Sequence, residues 1–303
     1  MINPLKRTDV FRCRQEAHRR FGGAVSAYHV LREKKCWPAG CLYFVWHCVK
    51  LEKGGRCPQG FTIPGRKCRG CTHYAEDKLH FQPERLIEGA AYDAFLEDLE
   101  TYEAWIEKAV RGRPQVAGRI ATVKPWFEKT VFPEGGSRLR LRGYLLVLRN
   151  GFIGVEPVDG PVYVRVSPGL MASFGFTAKM KVEMTGEIRE DRGRIVVSHP
   201  KQVETRGRGW GWRWTDEKAL VAVHTASHLD RQPEQCLACP WGALADVSDR
   251  SEPEEQRYRS LYCLKAVADP DGCYVHAMGK LRRKTRSSAA HLEGASHFPP
   301  EGS

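Results

Sequence analysis

Residues 113–204 read as an almost continuous run of strand patterns, and this constrains the chain more than any other feature. Residues 116–123 make a first strand and 137–150 a long second one. Residues 152–155 continue the meander past the turn signal of Asn150 and Gly151, and Val162–Val166 alternates cleanly between apolar and polar. A short helix is expected over 169–176. A closing hairpin follows, with strands at 179–188 and 194–197 and its turn at Asp191, Arg192 and Gly193. Five strands in about ninety residues, with a short helix between the third and fourth, bury their apolar faces by curling into a small barrel.

The segments around this tract have different chemistry. The chain of 303 residues carries a formal charge of +12. Residues 1–84 carry +9, 85–112 carry −4, 113–214 carry +9 and 215–303 carry −2. Two basic regions are thus separated by an acidic one. Basic surfaces favour polyanions, because bound cations are released when the two meet. Residues 84–111 have Tyr92, Phe95, Leu99, Tyr102, Ile106 and Val110 at three- and four-residue steps with acids between them, which is an amphipathic helix. Residues 8–34 are also expected to be helical, with Val10, Phe11, Ala17 and Phe21 as a rough stripe broken by Gly22 and Gly23. No apolar run is long enough for a membrane span, and residues 1–20 lack the apolar stretch of a signal peptide, so a cytoplasmic protein is expected.

The eleven cysteines are an odd number, which disfavours a closed disulfide set. Eight fall into two groups of four: Cys48, Cys57, Cys68 and Cys71, then Cys236, Cys239, Cys263 and Cys273. Each group contains a pair two residues apart, the spacing at which both sulfurs of a tight knuckle reach one metal. Two zinc sites are expected, with a 4Fe–4S cluster as the alternative four-thiolate occupant. Cys36 and Cys41 could replace Cys48 or Cys57, while Cys13 reads as a core residue. His224 and His228 lie one helical turn apart, but no Glu follows His224 as in a zinc protease; His73 and His80 are weaker candidates. No phosphate loop, dinucleotide fingerprint or nucleophile elbow is present, so an enzyme is not the favoured reading.

Two stretches have nucleic-acid-binding chemistry. Alternation over residues 137–144 puts Leu139 and Leu141 on one strand face and Arg138, Arg140, Arg142 and Tyr144 on the other, with Tyr163 and Arg165 extending the surface. Residues 206–214 hold Arg206, Arg208, Trp210, Trp212, Arg213 and Trp214 among glycines, a mixture suited to base stacking with phosphate contact. The tract over 116–203 resembles OB-fold nucleic-acid-binding domains, in its opening Val-Ala-Gly-Arg-Ile at 116–120 and its Val-Glu-Met-Thr-Gly-Glu at 182–187.

The resemblance implies an α+β chain built on a five-stranded OB-like β-barrel over 113–204, in which strands two and three carry the ligand. The expected organisation is a basic helical and cysteine-rich module at 1–83, an acidic linker helix at 84–112, the barrel, a Trp/Arg segment with helix and second cysteine module at 205–278, and a disordered basic tail at 279–303. The expected function is a metal-containing protein binding single-stranded DNA or RNA, with a protein partner possible. The alternatives are an iron–sulfur enzyme or enzyme subunit of nucleic-acid processing, and a protein-interaction scaffold.

Overall fold

The structure is a computed structural model that describes residues 1–15, 18, 23–251 and 255–278. The expected basic tail at 279–303 lies outside the described residues. The chain divides into two compact units: residues 1–123 with 143–213, and residues 124–142 with 214–303.

The first unit opens with short pieces. Strands β1 (Phe11–Arg12) and β2 (Ala24–Val25) pair, and β1 also pairs with β5 (Glu84–Arg85) in the order β2-β1-β5. The helix expected over 8–34 is corrected in its described part: β1 and β2 replace much of it, while residues 18 and 27–28 are helical and His29–Glu33 is a π-type turn. Of the apolar residues read as a helical stripe, Val10 and Phe11 instead serve a sheet, and Ala17 and Phe21 lie outside the described residues. Val10, Phe11, Val25, Ala27 and Val30 form a core cluster with Cys13, Cys36 and Phe95. Strand β3 (Cys41–Cys48) pairs with β4 (Tyr74–Phe81) as a separate antiparallel hairpin, and a single turn, α1 (Val49–Glu52), follows β3. The acidic helix α2 (Ala90–Arg111) forms as its periodicity requires. It buries Phe95, Tyr102 and Ile106, one stripe at helical spacing, and leaves its acids to solvent.

Strands β6 (Gln115–Val131) and β7 (Ser137–Ile153) are each seventeen residues long and contribute residues to both units. β8 (Glu156–Val158), β9 (Val162–Val166), α3 (Pro168–Phe174), β10 (Lys181–Asp191) and β11 (Arg194–Arg206) complete the first unit's sheet residues. Helix α3 starts at Ser167, whose hydroxyl accepts from the Leu170 amide, and ends at Gly175 in the left-handed region. The second unit adds α4 (Asp216–His224), β12 (Ser227–Leu229), α5 (Glu234–Ala238), β13 (Gly242–Asp249) and β14 (Gln256–Cys263).

The hydrogen-bonding order is β12-β14-β13-β6-β10-β11-β9-β7-β8, with β6 also paired to β7. β9–β11 and β6–β13 run parallel. This overturns the expected five-stranded OB-like barrel. Among the described residues the protein is a large nine-stranded mixed sheet with two small sheets and few helices, α+β in overall character. β6 runs past residue 123, where the first strand was expected to end, and through Pro125. The strand continues because Pro125 falls between the residues bonded to β10 (Gln115 to Arg119) and those bonded to β13 (Glu128 to Val131), so its missing N–H interrupts neither ladder. The Asn150 signal is likewise a kink rather than an end. Asn150 takes φ +51° inside β7, and the strand runs on to Ile153 before turning at Gly154.

Gly143 decides which side of β7 is buried. Before it, Arg138, Arg140 and Arg142 are exposed; after it, Tyr144, Leu146 and Leu148 are buried, although all six have the same parity. Gly143 has φ +147°, and a Cβ there would stand 2.3 Å from the Val166 carbonyl oxygen. Only glycine fits this close approach, and from this point on the even-numbered side chains are buried rather than exposed.

Candidate nucleic-acid interface

The strongest polar arrangement lies across three adjacent strands of the first unit. Val182 and Met184 are buried, so alternation along β10 turns Lys181 and Glu183 outward. Register places Lys181 opposite Arg119 of β6 on one side and opposite Arg206 of β11 on the other. All three cations are exposed. Like charges directly opposed across strands repel, by up to about 1 kcal/mol per pair in water at ~5 Å. Among the described residues Arg206 has Glu204 at 3.4 Å, and no ion pair joins Arg119 or Lys181 to a carboxylate. The next outward rung is Ala117, Glu183 and Glu204, in which the Gln115 amide donates to Glu183.

These two rungs form the floor of a cleft of about 430 Å³ that Gly118, Asn150 and Phe152 complete. Phe152 is 46 % exposed, a large aromatic ring that the fold leaves open to a ligand. Gly118 is tightly flanked, since a Cβ there would lie 3.2 Å from Leu148 and 3.3 Å from Gly151.

The Trp/Arg segment follows directly from β11. Trp210 is held by its backbone, whose N–H donates to the Ala178 carbonyl at 2.8 Å, while its side chain is 70 % exposed. The Lys179 ammonium sits 4.5 Å from the centre of the Trp210 ring. Gly209 makes this approach possible, because a Cβ there would stand 1.7 Å from the Thr177 hydroxyl. Trp212 is 48 % exposed, and Arg206, Arg208 and Arg213 are all exposed.

Other expected site residues are placed differently. Arg138, Arg140 and Arg142 are on the exposed face as read, but they belong to the second unit, and Arg142 lies 3.4 Å from Glu128. Tyr144 is fully buried beyond the Gly143 reversal and offers no ring to a ligand. Tyr163 and Arg165 are half-buried and internally engaged, Tyr163 beneath the Arg194 guanidinium and Arg165 with Asp191 at 2.8 Å. Trp214 is buried in the second unit, edge-on to Trp241 at 5.6 Å. It is a core residue, as large aromatics usually are. Arg119, Lys179, Lys181 and Phe152 were not singled out by sequence. Alternation about Val182 and Met184 pointed outward to Lys181, but only strand pairing shows what lies beside it.

The cysteines are all free. Each pair of cysteines two residues apart closes a backbone turn. The Cys71 N–H donates to the Cys68 carbonyl at 3.0 Å, and the Cys239 N–H to the Cys236 carbonyl at 3.2 Å. In the second unit Gly242 passes so close that a Cβ would stand 1.9 Å from the Cys236 carbonyl oxygen, and β13–β14 register pairs Gly242 with Cys263. Buried Lys124 fastens the same loop by donating to the Leu237 and Gly242 carbonyls at 2.8 and 2.7 Å. Burial pushes the Cys236 thiol up, and neighbouring Cys239, Cys273 and Cys263 push it further. Cys36 is raised by burial and by Cys41 and Cys13, which places it with the first core cluster. Among the described residues no group of three or more His, Cys, Asp or Glu side chains is disposed to hold a metal ion. His228 lies in β12 and His224 ends α4, so this pair does not share a helix.

No known protein family, curated protein or solved structure matches this chain. No helix among the described residues is long and apolar enough to cross a membrane.

Proposed function

We propose that this protein binds single-stranded DNA or RNA, as a binding protein rather than a catalyst. The observation that carries the reading is the segment from Arg206 to Arg213. It presents two exposed indoles, Trp210 and Trp212, among three exposed guanidiniums, with Trp210 fixed by its backbone to Ala178. Unpaired bases stack on exposed indole faces, and phosphates pair with the arginines beside them. A duplex hides its base faces, so this surface favours single strands. Formal charge of +12 supports the same polyanion.

The proposal includes structural zinc in the two four-cysteine sets and a reducing, cytoplasmic setting. Donor chemistry and the two closed cysteine turns support the metal; ligand geometry does not, since no metal-holding group stands among the described residues. The binding test uses nuclease-treated full-length protein and fluorescent oligonucleotides in an anisotropy titration. Tight, salt-sensitive binding of single strands with weaker binding of the matching duplex is expected. Equal affinity for both forms would refute the stacking argument, and no binding would refute the function.

A further inference from the structure

We infer that the cleft on β6, β10 and β11 is a nucleotide pocket that selects bases bearing an exocyclic amino group, cytosine above all. The inference rests on the nucleic-acid reading and assigns it a site that the Trp/Arg segment does not contain. The Arg119, Lys181 and Arg206 row crosses three strands spaced about 4.8 Å apart. It therefore extends about 10 Å, roughly three steps of the ~3.4 Å rise of one nucleic-acid strand, and each cation can meet one phosphate. Among the described residues Arg119 and Lys181 make no ion pair and Arg206 shares Glu204 at 3.4 Å, so the backbone of a ligand would bring further negative charge to the row.

The adjacent rung has the opposite sign and a different task. Glu183 and Glu204 face each other across β10 and β11 in the floor of the same cleft. Carboxylates placed beside a polyanion weaken its binding unless they accept hydrogen bonds from it. The donors of a nucleic acid that suit them are base amino groups: Glu and Asp accept from cytosine N4. Thymine and uracil present a carbonyl oxygen at that position and would be repelled. Phe152 lies at the same cleft with an open ring for the base to stack on. The cleft's volume of about 430 Å³ suits one nucleotide rather than a duplex groove.

The test is anisotropy with labelled oligo(dC), oligo(dT), oligo(rC) and oligo(rU) of about eight nucleotides. The full chain is compared with E183Q/E204Q and with R119A/K181A/R206A, after checking that each variant keeps the wild-type melting transition. We expect cytosine oligomers to bind at least about fivefold tighter than thymine or uracil ones, and E183Q/E204Q to erase that difference. The triple cation variant should lower the slope of log K against log salt by about 2, at ~0.7 per phosphate for three single-strand contacts. The deoxy and ribo series identify whether the source is DNA or RNA. Binding with no base preference, or a preference that survives E183Q/E204Q, overturns the pocket and leaves the Trp/Arg interface standing. No binding to any oligomer refutes the nucleic-acid reading itself, and the pocket falls with it.

Discussion

Trp210 and Trp214 are four residues apart, and the structure gives them opposite tasks. Trp210 is 70 % exposed, with one ring face covered by Lys179, so the other can stack one base. Replacing Trp210 by Ala removes that stack, which is worth about 1–3 kcal/mol, and single-strand affinity should fall roughly 5- to 150-fold. The folding cost is small: about a third of an indole's ~200 Å² is covered, so the loss is at most about 2 kcal/mol. Trp214 is buried against Trp241, and Trp214→Ala should cost about 3–5 kcal/mol of stability through the cavity it leaves. The chain has eight tryptophans, so intrinsic fluorescence dilutes the signal from any one of them. The better assay is anisotropy of a labelled single strand, with thermal melting of each variant alongside. A Trp210→Ala protein that melts normally and binds within twofold of wild type would refute stacking at this ring. A Trp214→Ala protein that melts normally would refute its place in the core.

Three further outcomes are expected. Gly143→Ala forces a Cβ against the Val166 carbonyl at φ +147°, and should destabilise by about 1–3 kcal/mol in a denaturant titration; an unchanged midpoint would show that the reversal at Gly143 is not needed. His47 is raised above its ordinary value by its hydrogen bond to Glu52, with Asp77 3.0 Å from its other ring nitrogen. Its folded pKa being the higher, the stabilisation is complete below the unfolded pKa near 6.5 and is lost as pH rises through the folded value. NMR titration of the ring should therefore give a pKa above 6.5 that Glu52→Gln lowers, and a pKa unmoved by that change would contradict the contact. Elemental analysis of anaerobically purified protein should find about two zinc ions per chain; iron with acid-labile sulfide would refute zinc, and absence of both metals would refute the metal sites.

Local patterns in the sequence determined a good deal. The acidic amphipathic helix follows from its three- and four-residue apolar steps and forms at Ala90–Arg111. The exposed arginines at 138, 140 and 142 follow from alternation, and the short helix expected over 169–176 forms at Pro168–Phe174. Period and capping are properties of a few neighbouring residues, so the chain writes them openly. Register, reversal and partnership between distant strands are not written there. Only the tertiary structure decided that β6 passes Pro125, that Gly143 turns Tyr144 into the core, and that Lys181 stands between Arg119 and Arg206. Each depends on which backbone lies alongside, and residues 62 or 25 positions apart become neighbours through hydrogen bonds that any sequence can make.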